Sequence, residues 1–481
     1  MNFFPSKRAV SCALAIGATL GMAAPSFATN GYFLIGYGAK TRGMGGAGVA
    51  YAQDALAAAA NPAGMADIKM DTMRIDVGGE FFLPKRGFVH DSATLESGFP
   101  GSDTGVKHRS GSNVFLIPSM GGAYKFNRKL TIGMAAIGNG ANSRYQQSVP
   151  GNPGCIDSNT SGGVGSTVFN FNCLGSPTAG VSLIQMQMLP SAAYKINKNH
   201  AIGGGITLAT QQFRAYGLQA FGRNAAGEGL GYADGPDLTN RGNDYAYGAG
   251  VRLGWLSKFF NRRLSIGANY ASRTYMTKFD KYRDLFAEKG SFDIPEHYAV
   301  GIAVKATSKL TIAADFQRIM YNDVKSIGNP GPDASNPSTF FPAGCKTLPD
   351  GSNSCQLGRD DGMGFGWENQ NVYKIGINYD YSSAWSFRAG YNYAKSPIQD
   401  DQVLFNFLAP AVNERHVTLG LSYRPSPSIE WSANYMHAFK NTIKGPTALG
   451  PAASVGQPVV GENAAVDMYI NSIGVSFAYK M

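Results

Sequence analysis

Histidine and serine side chains are the residues of this chain that could carry acid–base or nucleophilic chemistry, and its six histidines are scattered. Hydrolysis by such groups needs a serine, a histidine and an orienting polar partner that converge on one site. No histidine lies in a recognisable nucleophile motif, and the glycines from Gly43 to Gly48 follow no strand, as a phosphate-binding loop would require. The sequence therefore predicts a protein that is not an enzyme and uses no cofactor. A hydrolase whose residues meet only after folding is the enzyme alternative.

The N-terminus has the pattern of an export signal. Lys7 and Arg8 precede an apolar run that reaches Ala24, and the small residue Ala28 suits cleavage. This order is typical of a cleaved signal peptide, which we predict over residues 1–28. No later segment approaches the roughly 18 consecutive apolar residues of a membrane-spanning helix. We therefore expect an exported chain without such a helix.

Four of the five cysteines fall into two close pairs along the chain. Cys155 and Cys173 form one pair, and Cys345 and Cys355 form the other, each inside a long segment rich in glycine, serine, proline and asparagine. In an oxidising, exported setting such pairs predict two disulfides that close loops. Because no histidine lies near either pair, we expect no metal site there.

The charge of the chain is low in density and basic in balance. Charged residues make up 15% and aromatic residues 12% of the sequence, and the formal net charge is +10. An average soluble chain carries about 25% charged residues. The basic residues stand singly or in short turns such as Asn261–Arg263, so the pattern favours solvated turns over a nucleic-acid surface.

From residue 70 to the C-terminus the dominant period is two, the period of β-strands. In the last segment, Ile473, Val475, Phe477 and Tyr479 lie on one face, and the residues between them are small or polar. Alternation alone fits a soluble sandwich as well as a barrel. Segments of roughly nine to eleven residues, with aromatic residues at the ends of their apolar faces, favour a barrel in a membrane.

The connections between these segments alternate between short and long. Six short turns, such as Asn261–Arg263, are interleaved with seven long loops, such as Val324–Trp367. This order predicts an all-β fold, an outer-membrane antiparallel β-barrel of about 14 strands over residues 70–481, with both chain ends on the short-turn side.

The segment before the first strand, residues 29–69, has neither a strand pattern nor a charge run. Its alanine-rich stretch Gln53–Ala60 favours a helix that ends at Asn61, before Pro62. We predict that this segment is a plug inside the barrel, which a passive polar pore would not need. A polar-solute channel remains the main alternative because the inward faces are small and polar, and an adhesin is the third.

The plug sequence resembles the FadL/TodX family of outer-membrane transporters. The resemblance rests on the run G-M-G-G-A-G from Gly43, on Asp54 with Ala55, and on Asn61-Pro62-Ala63. It implies passive uptake of long-chain fatty acids or aromatic or aliphatic hydrocarbons across the outer membrane of a Gram-negative bacterium. The expected partners are a hydrophobic small molecule, membrane lipid and lipopolysaccharide, and we expect a monomer.

The resemblance also implies a route for the substrate. A groove between the third and fourth long loops receives it, a lumen site beside the start of the plug holds it, and a gap in the barrel wall, made by a kink in the third strand, releases it sideways into the membrane. The residues assigned by the resemblance are Phe221, Leu230, Leu285 and Phe286 in the groove, Tyr32 and Phe33 in the lumen, Asn61, Pro62 and Ala63 in the plug, and Gly138, Asn139 and Gly140 at the kink.

Two features depart from the family pattern. The chain ends on Met481 instead of an aromatic residue. The family's basic lumen residues, which bind a fatty-acid carboxylate, have no motif that places them here; Arg144 and Arg214 are the candidates. The choice between fatty acid and hydrocarbon is therefore open at the level of sequence.

Overall fold

The structure is a computed structural model that describes residues 30–90, 107–146, 178–218, 221–222, 232–233, 235–333, 341–446 and 464–481. The predicted signal peptide, Cys155, Cys173 and Leu230 lie outside the described residues.

Seventeen strands form one antiparallel sheet, and fourteen of them, each of eight residues or more, make the wall of a barrel. The other three, β2, β5 and β10, are two or three residues long and extend the sheet at the long-loop end. The strands are β1 (Met73–His90), β2 (Lys107–Arg109), β3 (Phe115–Lys125), β4 (Leu130–Asn142), β5 (Tyr145–Gln146), β6 (Thr178–Lys195), β7 (His200–Tyr216), β8 (Asp244–Phe259), β9 (Leu264–Ala271), β10 (Tyr275–Met276), β11 (His297–Lys305), β12 (Leu310–Ile319), β13 (Gln370–Asp380), β14 (Trp385–Ala394), β15 (Arg415–Tyr423), β16 (Ile429–Gly445) and β17 (Ala464–Lys480).

The barrel closes between its first and last strands. β1 pairs with β17 from Arg74↔Lys480 to His90↔Ala464, and the order around the ring is β1, β3, β4, β6 to β9, β11 to β17 and back to β1. The predicted fourteen-stranded antiparallel barrel is confirmed. Closure leaves no open edge between the first and last strands, as a sheet that crosses a bilayer requires.

Alternation places apolar side chains on the outside of the wall. On β17, Ile473 and Val475 are each 49% exposed and Tyr479 is 41% exposed. Ser472, on the luminal face of the same strand, is buried. The same alternation continues around the ring. An outward apolar band with aromatic residues suits a hydrocarbon environment.

Residues 30–72, which we call the luminal segment, lie inside the ring. The segment contains the short helices Ala39–Arg42 and Ala57–Ala60 and the 3-10 helix Pro62–Asp67. The alanine-rich helix is shorter than predicted, but it ends at Asn61, which is extended (φ −160°), as the following proline requires.

Small residues let the luminal segment approach the wall closely. A Cβ on Gly203 of β7 would lie 2.3 Å from the nitrogen of Ala63, and one on Gly45 would lie 2.6 Å from the carbonyl oxygen of Tyr391 on β14. A side chain at either position would force the backbone of the wall and the backbone of the luminal segment apart. Glycines on both sides of the contact therefore allow the luminal segment to pack against the wall.

Polar groups of the wall bind residues 40–61 of the luminal segment, which we call its base. The Asp315 carboxylate accepts the backbone N–H groups of Gly48 at 2.7 Å and Val49 at 3.0 Å. The side-chain amide of Asn61 donates to the carbonyls of Val49 and Trp255, both at 2.9 Å. All but the bond to Trp255 are fully buried. Leaving either partner of a buried bond unpaired would cost about 1–3 kcal/mol.

Buried ion pairs add to these bonds. Lys40 lies 2.7 Å from Glu430 of β16, and Arg42 pairs with Glu80 of β1. The base of the luminal segment is thus tied to strands on several sides of the ring.

The long connections contain short helical turns that pack over one end of the barrel. These are Asp280–Tyr282, Ala287–Gly290, Tyr321–Asp323, Lys325–Gly328, Asp400–Gln402 and Val403–Asn406. Cys345 and Cys355 are bonded, so the predicted disulfide between them is confirmed; the pairing of Cys155 with Cys173 stays a prediction. No helix in the described part of the chain has both the length and the apolar character to span a bilayer.

Candidate functional site: an apolar cavity and a break in the wall

An apolar cavity lies between the long-loop end of the barrel and the start of the luminal segment. Its volume is about 60 Å³ when measured for the centre of a water-sized sphere. Twenty residues line it, and none of them is charged. Eight aromatic side chains among them dominate the surface: Tyr32, Phe213, Phe221, Phe286, Phe292, Phe365, Trp367 and Phe405. An enclosed surface of this composition binds apolar molecules and excludes ions.

The aromatic rings form a continuous contact network. The ring centroids of Phe213 and Phe286 are 4.7 Å apart, those of Phe286 and Phe292 are 4.8 Å apart, and those of Tyr32 and Phe292 are 6.2 Å apart. All three pairs are inclined, the arrangement that ring quadrupoles favour. The network joins β7, the loop before β11 and the luminal segment into one wall of the cavity.

The polar atoms near the cavity are occupied or uncharged. The Trp367 indole donates to Asn406 at 2.6 Å, and the Ser326 hydroxyl donates to the carbonyl of Ser291 at 2.5 Å. Burial raises the pKa of Tyr32 and of Tyr321 well above the ordinary value, so both phenols stay neutral. Among the described residues, no cluster of three or more acidic, histidine or cysteine side chains could hold a metal ion.

The structure brings most of the predicted apolar residues together. Tyr32, Phe221, Leu285 and Phe286 all line this one cavity, although the sequence assigned them to two separate sites. Phe33 does not line it; its ring packs behind, 5.3 Å from His297 and 6.0 Å from Tyr321. The described residues predicted for the loop groove and Tyr32, predicted for the lumen site, therefore line a single cavity.

The two predicted basic residues are not part of that space. Arg144 and Arg214 are both exposed, and neither lines the cavity. The Arg214 guanidinium lies over the ring of Tyr216, 5.5 Å from its centroid. The cavity thus has no described cation to hold a carboxylate.

The wall is interrupted between β3 and β4. Their register ends at the pair Ser119↔Ile137. Beyond it, β3 is paired with β1 alone and β4 with β6 alone. The facing stretches 115–118 and 138–142 therefore make no ladder pairs with each other, and this region is called the wall break below.

The residue types at the wall break explain it. Pro118 has no N–H to donate, so it cannot continue a ladder on both sides. From 136 to 142 every residue of β4 is buried, including those that alternation should turn outward, so this end of the strand lies inward of its neighbours. An isolated bridge between Ser110 and Tyr145 closes the wall again beyond the break. The break coincides with the glycines predicted to kink this strand.

A smaller cavity, the junction cavity, lies between the wall break and the luminal segment. It has a volume of about 20 Å³ on the same measure and is lined by Leu34, Ile117, Pro118 and Gly138 among others. Tyr32, only two residues before Leu34, lines the apolar cavity instead. The start of the luminal segment therefore separates the two cavities.

One hydrogen bond joins the start of the luminal segment to β4. The backbone N–H of Leu34 donates to Oδ1 of Asn139 at 3.3 Å, and the side-chain amide of Asn139 donates to Gln185 at 3.4 Å. Both bonds are long for N–H donors and therefore weak. The sequence pointed to Asn139 but not to Leu34, whose role depends on a contact 105 residues away.

A family model described as "Outer membrane protein transport protein (OMPP1/FadL/TodX)" matches residues 20–479. The chain belongs to the FadL/TodX family. This member of the family is accordingly an outer-membrane β-barrel transporter of hydrophobic compounds from a Gram-negative bacterium.

Solved structures show the same fold at low sequence identity. The toluene transporter TodX of Pseudomonas putida has a TM-score of 0.61 and 16% identity, with 93% of this chain and 99% of that chain covered. The toluene transporter TbuX of Ralstonia pickettii has a TM-score of 0.57 and 16% identity, with 93% of this chain and 98% of that chain covered. A FadL homologue of Pseudomonas aeruginosa has a TM-score of 0.58 and 14% identity, with 95% of this chain and 99% of that chain covered.

One curated relative matches a short part of this FadL/TodX chain. It is an uncharacterised protein of Chlorobium limicola encoded upstream of a phosphoenolpyruvate carboxykinase gene, 46% identical over 70 residues. The match spans 15% of this chain and 32% of that protein, about a third of its length.

Proposed function

We propose that this transporter takes up uncharged aromatic or aliphatic hydrocarbons by passive diffusion. The observation that carries the proposal is the apolar cavity, whose lining has no charged residue. A long-chain fatty acid would bring a carboxylate, and burying a charge without a partner is strongly unfavourable. The toluene transporters TodX and TbuX share this fold, which supports a small aromatic hydrocarbon as substrate.

The proposed route uses the two cavities in turn. Substrate enters the apolar cavity from the loops and contacts Tyr32. Displacement of the start of the luminal segment breaks the bond between Leu34 and Asn139 and joins the apolar cavity to the junction cavity. The wall break then gives access to the membrane. Exit into hydrocarbon avoids the cost of about 25 cal/mol per Å² of apolar surface exposed to water.

A carboxylate introduced into the cavity lining should weaken hydrocarbon binding. Leu285 is only partly buried, so Leu285→Asp is compatible with folding. Because an apolar ligand would have to desolvate the carboxylate, we expect the dissociation constant for toluene to rise about tenfold or more. Calorimetric titration of the purified protein in detergent measures it.

The matched control is Leu285→Met, which conserves volume and polarity and should leave toluene binding within about twofold. Octanoate is the competing ligand in the same titration. If octanoate binds the wild-type protein more tightly than toluene at neutral pH, the proposed substrate class is wrong. No ligand-dependent heat, combined with steady ion conductance of the intact protein in a planar bilayer, would favour the polar-solute channel instead.

We also propose lipopolysaccharide as a lipid partner of a monomeric barrel. Lys85, Arg109 and Lys440 are exposed near the long-loop end of β1, β2 and β16. β2 pairs with β1, and β17 lies between β1 and β16. Cations at this height suit phosphate groups of the outer leaflet. Native mass spectrometry should show one chain with retained lipid, and replacing the three cations by glutamine should remove it; an oligomer, or unchanged lipid, contradicts the proposal.

A further inference from the structure

A second, polar cavity lies at the short-turn end of the barrel, below the luminal segment. Its volume, measured for the centre of a water-sized sphere, is about 740 Å³. Both the luminal segment, through Lys40 and Gln53, and the wall, through Arg388 and Lys305, contribute to its lining. The short-turn end of such barrels faces the periplasm, and we call this cavity the periplasmic vestibule.

The vestibule is strongly basic. Ten basic and three acidic side chains line it, which leaves a formal excess of seven positive charges. The ratio of basic to acidic residues in this lining exceeds that of the whole sequence, which has 42 basic and 32 acidic residues. A cleft with one sign of charge and low-dielectric walls concentrates ions of the opposite sign.

The acidic residues of the vestibule are already shared among several partners. Asp67 pairs with Lys258 at 2.5 Å and with Arg262 at 3.2 Å. Glu430 is surrounded by four basic side chains at 2.7 to 3.4 Å. Asp380 accepts hydrogen bonds from the neutral side chains of Ser386, at 2.6 Å, and Asn378, and forms no ion pair in the described part of the chain. Even with its charge counted, the lining keeps the excess of positive charge.

Arg388 is a buried cation of this lining. Its side chain lines the vestibule and the residue is only 5% exposed. Its guanidinium donates to two neutral acceptors, Gln53 at 2.9 Å and Ser422 at 2.8 Å. Among the described residues it forms no salt bridge. The carboxylates of Glu430 and Asp380 act on it only from beyond ion-pair distance. A buried guanidinium without a direct ion pair is costly, and an anion beside it would reduce that cost.

We propose that the vestibule binds a periplasmic oxyanion, a phosphate- or carboxylate-bearing group, beside Arg388. Arginine presents a planar fork that matches the oxygens of such groups. Since Gln53 belongs to the luminal segment and Arg388 to β14, an anion held there contacts both bodies. Its binding stabilises the closed position of the luminal segment, and the site is separate from the apolar cavity and its cargo.

Binding can be measured directly, independently of transport. Sodium pyrophosphate is titrated into the purified full-length protein by calorimetry, with ionic strength held constant by sodium chloride because chloride screens the site. We expect saturable binding to the wild type and a dissociation constant about tenfold or more higher in Arg388→Gln, since one charge-assisted contact is lost. The melting temperature of the wild type should rise with pyrophosphate, as it does for any ligand of the native state.

Two further variants keep the test decisive if Arg388→Gln folds poorly. Lys305→Gln removes an exposed cation from the vestibule rim and should weaken pyrophosphate binding about threefold or more, within the range of a partly solvated charge. Arg415→Gln removes an exposed cation from β15 that does not line the vestibule and should change nothing. Equal binding by all variants, or no binding to the wild type, overturns the proposal.

A second experiment distinguishes a lipid headgroup from a soluble anion as the source of the oxyanion. The protein is placed in nanodiscs of phosphatidylcholine with or without phosphatidylglycerol, and the pyrophosphate titration is repeated. Weaker apparent pyrophosphate binding in the presence of the anionic lipid identifies a lipid headgroup as the occupant, whereas unchanged binding identifies a soluble anion. Because toluene binding is measured separately, loss of the proposed cargo would leave this result standing.

Discussion

Replacing Gly138 by valine should reduce hydrocarbon uptake about tenfold or more while leaving toluene binding in the apolar cavity unchanged. Gly138 lies at the edge of the wall break, and a Cβ there would be 3.3 Å from Cγ2 of Ile117 on β3. A valine side chain therefore fills the space between the two unpaired stretches. Forcing extra methyl groups into a packed site costs about 1–3 kcal/mol, which adds to the barrier for anything that leaves by this path.

The matched control is Gly122→Val on the neighbouring strand β3. A Cβ at Gly122 meets no other atom within 4 Å, so the substitution adds the same side chain without filling the break. Uptake of radiolabelled toluene into proteoliposomes, and its binding to purified protein, are measured for both variants. If Gly138→Val and Gly122→Val take up toluene equally fast, the substrate does not leave through the wall break.

Much of the fold could be predicted from sequence because barrel strands carry their own signal. Alternation in segments such as β17 is dictated locally, by lipid on one side and a crowded lumen on the other. The lengths of the connections then fix strand number and direction. The place of the wall break is also marked in the sequence, since Gly138 and Gly140 interrupt a strand pattern and Pro118 of β3 is a second local signal. The kink itself stays a prediction, because β4 pairs with β6 without a register shift from Leu130 to Asn142.

The site could be predicted less well, because it depends on contacts between distant parts of the chain. Tyr32 and Phe286 were assigned to different stages of the route, yet both line one cavity. Leu34 was not singled out, although its N–H bonds to Asn139. The buried guanidinium of Arg388 lies in a regular strand pattern, and nothing in that pattern shows that its nearest partners are neutral.

The luminal segment is divided by chemistry into a movable start and a fixed base. Its first six residues are attached by weak or neutral contacts, such as the 3.3 Å bond from Leu34 and the bond from the Tyr321 hydroxyl to the carbonyl of Asn30 at 2.5 Å. Its base is attached by ion pairs and by the Asp315 carboxylate. Breaking a buried pair costs several kcal/mol, so we expect any motion of the segment to concentrate at its first six residues.

This division predicts that two deletions will have different effects on ion conductance. Removing residues 30–65 should leave an open bore, because the wall strands pair with one another and their ladders include no residue of the segment. A barrel of fourteen strands is wide enough to need filling, so steady conductance in planar bilayers should rise about tenfold or more over the wild type.

Removing residues 30–35 alone should leave conductance low, because the base, including Lys40 and Asn61, stays bound to the wall. Toluene retention in the apolar cavity should be lost, because Tyr32 is removed. Heat-resistant migration of each variant on gels checks that the barrel has formed. Equal conductance of the long deletion and the wild type would show that the segment does not obstruct the pore.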